Sequence, residues 1–446
     1  HVVGLVDQDD RHIRRTVRGV PVIGRLEDLS KVLPTQPTCP EELILTSDEV
    51  PQWSLKKIIS EIEPLGLKVV RLPFMRTLQL HQGITACPIA VEELLGRSPQ
   101  VLNVSIVEEV LRGRSVLVTG AGGSIGSELV RQLIAYAPKR LLLLDSSEYL
   151  LYRIDKEIVE SLDAKTEKIP CIGDVRDAPH LYTLFETYRP DVVFHAAALK
   201  HVPLVEKNPA EGVLTNVMGT RCIADACHTY GTSLMVQIST DKAVAPKSVM
   251  GATKRLAELY CQTLDITSAT RFVTVRFGNV LGSSGSVVPL FEEQIAQGGP
   301  VTVTHAEMVR YFMTVPEAVR LILLSAAAGR QKSDVGGQIF VLEMGAPVRI
   351  IDLAHQMIRL KGLTPGKDIK IIYTGVREGE KLYENLFDEQ ESPAPSGFHG
   401  IHLASSHPVR ADVLYPLLDE LVALAQNRSD PEVAARVREI IAILRS

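Results

Sequence analysis

The stretch Ser115-Val-Leu-Val-Thr-Gly-Ala-Gly-Gly-Ser-Ile-Gly126 decides the fold. Ser115–Thr119 reads as a strand buried on both faces, and a helix is expected over Ser127–Ala137 directly after the glycines. The glycines at 120, 123 and 126 each have a separate physical task. Gly120 permits a tight turn, Gly123 lets backbone approach a pyrophosphate, and Gly126 lets helix pack on strand, while Ser124 and Ile125 carry the helix N-terminus towards the phosphates. A glycine pattern alone describes an empty turn equally well. The flanking strand and helix, with Asp145 ending the next apolar run, favour a dinucleotide. Asp145 is spaced to accept hydrogen bonds from the adenosine ribose hydroxyls and would repel a 2′-phosphate, so NAD is expected rather than NADP. Ser146-Ser147-Glu148 supplies no arginine to reverse that preference, although an Asp at a strand end is also an ordinary cap.

Outward from this stretch, Leu141–Leu144, Val192–Phe194, Leu234–Ile238 and Phe272–Val275 are further buried runs separated by helical segments. That alternation is the signature of a doubly wound parallel α/β sheet. Gly173-Asp174-Val175, after the third apolar segment, and His195-Ala196-Ala197-Ala198, after the fourth strand, are candidate cofactor walls. His195 reads equally well as a satisfied core histidine. After Gly282 the alternation weakens into a small C-terminal substrate lobe with helices at Pro316–Ala328 and Ile351–Arg359. Two amphipathic helices, split near Arg428–Pro431, close the chain. Residues 1–75, with Val2–Val6, Leu43–Leu45, Leu55–Ile62 and Lys68–Leu72, read as an incomplete Rossmann-like domain; 76–112 is a connector carrying a short helix around Val91–Leu95, and 113–446 is the catalytic domain.

At 446 residues two α/β domains are the natural expectation. Lys and Arg number 48 against 53 Asp and Glu, a net charge of -5, which leaves no basic field for nucleic acid. The six cysteines form no C-x-x-C pair or Cys/His cluster, so neither a disulfide framework nor a metal is expected. The longest apolar run, Ala318–Ala328, is broken by Arg320 and is too short to span a bilayer. His1-Val-Val-Gly-Leu-Val-Asp reads as a buried strand entered without initiator Met or signal peptide, so the chain is expected to be a soluble fragment.

Chemistry is concentrated in Thr240-Asp241-Lys242, which follows the strand Leu234–Ile238 and so lies at a carboxyl end of the sheet, where open α/β folds bind ligands. Spacing alone also allows a surface turn with a weak ion pair. Met250 and Lys254 are four apart and share a helix face. Together with Thr119–Gly126, Asp145, His195-Ala-Ala-Ala-Leu-Lys-His-Val-Pro203, Asn216-Val-Met-Gly-Thr220, Arg276-Phe-Gly-Asn279 and Arg377-Glu-Gly-Glu-Lys381, these residues resemble the membrane-associated UDP-N-acetylglucosamine 4,6-dehydratases of polysaccharide, O-antigen and glycoprotein-sugar biosynthesis, within the extended short-chain dehydrogenase/reductases.

The resemblance covers nearly the whole chain and implies a reaction. A hydride passes from sugar C4 to bound NAD, the 4-ketone acidifies C5–H, water leaves from C6, and the hydride returns to C6. Such a cycle needs an acid, a base and a polariser around one nicotinamide. The resemblance assigns Asp241 as the acid for the C6 oxygen, Lys242 as the C5 base, Thr240 as the partner of the C4 oxygen and Lys254 as the ligand of the nicotinamide ribose. It places Asn216 beside the cofactor, and Lys200, His201, Asn279, the amides near Val288, Arg310, Arg377 and Lys381 around the nucleotide sugar. Most of the superfamily carries Tyr at the position of Met250, and methionine cannot deprotonate a hydroxyl; Thr240, Asp241 or a water ordered by Lys254 remain as bases for the C4 hydroxyl. The resemblance further implies N-terminal transmembrane helices outside this chain, a place on the cytoplasmic side of the bacterial inner membrane, a homo-oligomer, and UDP-N-acetylglucosamine as substrate. The alternatives are an inverting dehydratase/5-epimerase, another NAD-dependent epimerase, or a redox-inactive nucleotide-sugar sensor.

Overall fold

The computed structural model describes residues 2–7, 9, 11–33, 38, 40–46, 55, 58, 61–62, 65, 67–72, 87–88, 104–159, 166–331, 337–405 and 408–445. The expected helix around Val91–Leu95 lies outside the described residues. The chain divides into two compact units: His1–Ser98 with Val287–Glu307 and Val348–Thr374, and Pro99–Ser286 with Met308–Pro347 and Gly375–Ser446.

The second unit is built on a nine-stranded sheet: β1 Ser115–Thr119, β2 Arg140–Asp145, β3 Glu167–Ile172, β4 Val192–His195, β5 Leu234–Ile238, β6 Arg271–Arg276, β7 Gln338–Leu342, β8 Ser392–Pro395 and β9 Ile401–Ser405. Their order is β3-β2-β1-β4-β5-β6-β7-β9-β8, parallel from β3 through β7, with the β9 and β8 pairings antiparallel. The order reverses between β1 and β4, the switch point at which doubly wound sheets open a crevice beyond their carboxyl ends. Strands β1, β5 and most of β2 are buried throughout, as continuous apolar runs covered on both faces must be. One layer of helices includes α1 Ser124–Ile134, α2 Glu148–Ile158 and α6 Val315–Gln331; the other includes α3 Ala178–Tyr188, α4 Gly219–Tyr230 and α5 Val249–Asp265, with α7 Ala411–Gln426 and α8 Asp430–Ile443 packed outside. Helix α1 starts three residues earlier than the sequence suggests, because Gly126 sits inside its first turn and serves packing rather than helix termination.

In the first unit, Leu5–Val6 pairs parallel with Val20–Gly24, and Glu42–Leu45 pairs parallel with Lys68–Arg71. Leu55, Ile58 and Ile62, the apolar positions of the expected amphipathic stretch, are buried with Leu29, Leu67 and Val69. The unit also holds the helices Val287–Ala296 and Ile350–Leu360, and the parallel pair Val301–Val303 with Ile371–Tyr373; Leu360 packs on the N-terminal core. Among the described residues no helix is long and apolar enough to cross a membrane.

Candidate active site

The glycine loop between β1 and α1 has the geometry its residue types require. Gly120 has φ +64, and a Cβ there would meet the Ala197 backbone at 2.8 Å. At Gly126 a Cβ would fall 1.9 Å from the Gly120 carbonyl oxygen. Gly123 is different. It is the extended N-cap of α1 and has only the Gly120 oxygen, at 3.2 Å, near its own missing side chain. The loop is closed by protein at 120 and 126 and open at 123, where the helix N-terminus presents its N–H groups. Ser124 ties this end down by accepting from the Ser284 N–H at 3.1 Å, and Ile125 packs on the core.

A cavity of about 550 Å³ opens on the loop, lined by Gly120, Gly123, Asp145, Asp174, Val175, Ala196, Ala197, Lys200 and His201 among others. Its size lies in the range of a cofactor-sized cleft. Asp145, buried at the end of β2, accepts from the Gly122 N–H and the Ser147 N–H, each at 2.9 Å, so it braces the loop while its remaining lone pairs face the cavity. Asp174 is held by Arg176, which also bonds Glu211; burial works against the Asp174 charge, and the Arg176 contacts overcome it and lower its pKa. A helix N-terminus, a backbone edge at Gly123 free of side chain and a carboxylate lining the same cavity together fit a dinucleotide.

His195 resolves as a core histidine. Ala197 N–H donates to Thr119 Oγ1, the Thr119 hydroxyl faces His195 Nδ1 at 2.8 Å, and His195 Nε2 faces Thr220 Oγ1 at 3.0 Å. The Thr220 hydroxyl donates to the Asn216 carbonyl, so it accepts from the ring and fixes the proton on Nε2. Burial first, and the charge of Lys254 second, push the imidazole down to about 3. Asn216 is likewise a brace: its amide bonds both the N–H and the carbonyl of Leu199 and the Thr253 hydroxyl, which holds the 196–201 wall rather than lining the cavity.

The reacting turn follows β5. Thr240 caps a short helical turn, Asp241–Ala243, and its hydroxyl donates to Asp241 Oδ1 at 2.9 Å. Asp241 is fully buried; Oδ1 also accepts from Lys242 Nζ at 3.0 Å, and Oδ2 has no hydrogen-bond partner among the described residues. Lys242 Nζ also donates to Asn279 Oδ1 at 3.0 Å. The turn is fixed from behind by Asp241 N–H to the Phe277 carbonyl, Lys254 Nζ to the Ile238 carbonyl and Lys381 Nζ to the Val244 carbonyl. Burial lowers Lys254 to about 8, with Glu258 pulling the other way. Met250 shares that helix face as expected, but its side chain is buried in the apolar cluster and supplies packing.

A smaller cavity, about 170 Å³, gathers Lys242, Asn279, Arg310 and Lys381 with Lys247, Ser248 and Glu384. Arg310 is pinned by donating to the carbonyls of Val309, Lys381 and Leu382. Four expected contacts do not line it: Lys200 and His201 line the larger cavity, and two more fall elsewhere. Arg377 is exposed and does not line this cavity, and Val288 is a buried residue of the first unit's helix Val287–Ala296. Sequence reasoning passed over Glu384 and the ion cluster behind the turn, where Arg276, 1% exposed, bonds Glu258 through two nitrogens and Glu391 through the third, and Ser239 donates to Glu258. The spacing Lys381-x-x-Glu384 was the available signal for the first.

A family model described as polysaccharide biosynthesis protein matches residues 116–406. The chain belongs to this family. Among relatives, the probable polysaccharide biosynthesis protein EpsC of Bacillus subtilis is 40% identical over 99% of this chain and 72% of its own length. The UDP-N-acetylglucosamine 4,6-dehydratase (inverting) of Campylobacter jejuni is 33% identical over 66% of this chain and 83% of its own. DesIV, a dTDP-glucose 4,6-dehydratase of Streptomyces venezuelae solved with NAD bound, shares the fold with a TM-score of 0.54 at 24% identity, over 61% of this chain and 88% of that one. Family membership makes the chain an enzyme of the short-chain dehydrogenase/reductase dehydratase and epimerase kind.

Proposed function

We propose that the chain is an NAD-dependent UDP-N-acetylglucosamine 4,6-dehydratase. The observation that carries this is the Asp241–Lys242 pair, a buried acid with one unpartnered oxygen hydrogen-bonded to a lysine, at the carboxyl end of β5 in the unit that holds the dinucleotide-type loop. The glycine loop and Asp145 support NAD as cofactor, and DesIV carries NAD on the same fold. The Campylobacter relative supports the UDP-sugar. When bound, NAD would supply reversible two-electron chemistry, taking a hydride from sugar C4 and returning it at C6.

The protein's part is proton transfer. Elimination across C5 and C6 needs a neutral base and a protonated acid at once. The 3.0 Å hydrogen bond between Lys242 and Asp241 provides both without an outside proton, because moving one proton along it converts the ion pair into neutral amine and neutral acid of the same net charge. Lys242 then takes the C5 proton and Asp241 gives its proton to the departing C6 oxygen. Thr240 would be the hydroxyl beside the C4 oxygen, and Lys254, one of whose hydrogens is taken by the Ile238 carbonyl, would hold the ribose end of the cofactor.

Mass spectrometry of purified chain incubated with UDP-N-acetylglucosamine tests this. The expected product is lighter by one water. A product of unchanged mass would make the chain an epimerase.

A further inference from the structure

The smaller cavity contains a carboxylate to which the proton-transfer scheme gives no task. Glu384 is 6% exposed, and its Oε2 has no hydrogen-bond partner among the described residues. Two cations flank it at ion-pair distance, beyond 3.5 Å. Lys381 Nζ lies 3.6 Å from Oε2 and donates to the Val244 carbonyl; Arg310 lies 4.0 Å from Oε1 and donates to three backbone carbonyls. These neighbours compensate charge and leave lone pairs open. An unsatisfied buried acceptor is destabilising, and a ligand's donor recovers that loss.

The cavity onto which Glu384 opens is also lined by Lys242 and Asn279. A diphosphate cannot be the missing partner of Glu384, because its oxygens carry no hydrogen at neutral pH and repel a carboxylate. The sugar can be, since a hexosamine carries hydroxyl groups and an amide N–H.

We propose that Glu384 contacts the substrate directly, accepting a hydrogen bond from an N–H or O–H of the hexosamine and holding the ring against Lys242. The identity of the sugar rests on the dehydratase reading above. Charge-assisted hydrogen bonds of this kind are about twice as strong as neutral ones.

Steady-state kinetics of the native chain and Glu384→Gln, with UDP as competing inhibitor, test the contact. The variant is expected to raise KM for UDP-N-acetylglucosamine ~10-fold or more while UDP inhibits both proteins equally. An unchanged KM, or UDP weakened by the same factor, overturns the proposal. Where Glu384→Gln does not fold, Glu384→Asp keeps the charge beside Lys381 and Arg310 but withdraws it by one methylene, and the same comparison applies. If the native chain leaves UDP-N-acetylglucosamine unchanged, the dehydratase reading is what fails. Equilibrium binding of UDP-N-acetylglucosamine against UDP then decides Glu384 by the same criterion: selective loss of the sugar nucleotide supports the contact, and equal or no loss overturns it.

Discussion

His195 shows how a side chain with catalytic reputation is turned into scaffold. Its two ring nitrogens are both occupied by threonine hydroxyls, and its proton is fixed by the chain that ends on the Asn216 carbonyl. The consequence is a pH dependence of known sign. The unfolded chain protonates this imidazole near its ordinary value of 6.5, whereas the folded chain resists until about 3. The stability it contributes is therefore present above the unfolded value and is lost as pH falls. Between about pH 7 and about pH 5 the loss amounts to about 2 kcal/mol. Urea unfolding of native chain and His195→Gln at both pH values reads this directly: their stability difference is expected to shrink by that amount on acidification. A difference independent of pH would mean that the folded ring takes up its proton as readily as the unfolded one.

The turn Ser239–Ala245 is rigid because separate elements meet on it. Helix α5 supplies Glu258 and Lys254, β6 supplies Arg276, and the segment before β8 supplies Glu391 and Asp388, the latter accepting from the Ala245 N–H. Arg276 compensates two buried carboxylates, so removing one leaves a guanidinium in the interior with half its partners. Glu391→Gln is expected to destabilise the chain by about 3–5 kcal/mol in chemical denaturation. A loss below about 1 kcal/mol would show that Glu258 alone satisfies Arg276. This cluster was not legible in the sequence, because its members lie at 239, 258, 276 and 391 and no local spacing joins them. The strands were legible where both faces are buried: Ser115–Thr119 and Leu234–Ile238 have their expected limits. The edge was not. β3, Glu-Lys-Ile-Pro-Cys-Ile, is partly exposed along its length, and β8 carries prolines at 393 and 395, which only an edge strand tolerates. The site divides in the same way. The glycine loop and the Thr240-Asp241-Lys242 turn are contiguous and were readable, whereas the Arg377–Lys381 motif was readable only in part: Arg377 is exposed, Gly379, Glu380 and Lys381 line the cavity, and Glu384 beyond the motif was passed over.

Taken as a whole the molecule is acidic, at net charge -5, yet Lys242, Lys247, Arg310 and Lys381 converge on one small cavity. A local positive field inside an acidic protein favours a compact polyanion over an extended one, which suits a nucleoside diphosphate and disfavours a nucleic acid backbone. The family match, the doubly wound sheet and this field agree on a nucleotide-sugar enzyme. What distinguishes a dehydratase from its epimerase relatives is proton exchange at C5 coupled to loss of the C6 oxygen, so that is the event to observe. Purified chain is incubated with UDP-N-acetylglucosamine in deuterated water without added NAD and followed by proton NMR. The account predicts a 4-keto-6-deoxy sugar carrying deuterium at C5, formed on cofactor that stays with the protein. Recovery of the UDP-sugar unchanged even with NAD supplied, or of a C4 epimer that keeps its C6 hydroxyl and its C5 hydrogen, would contradict it.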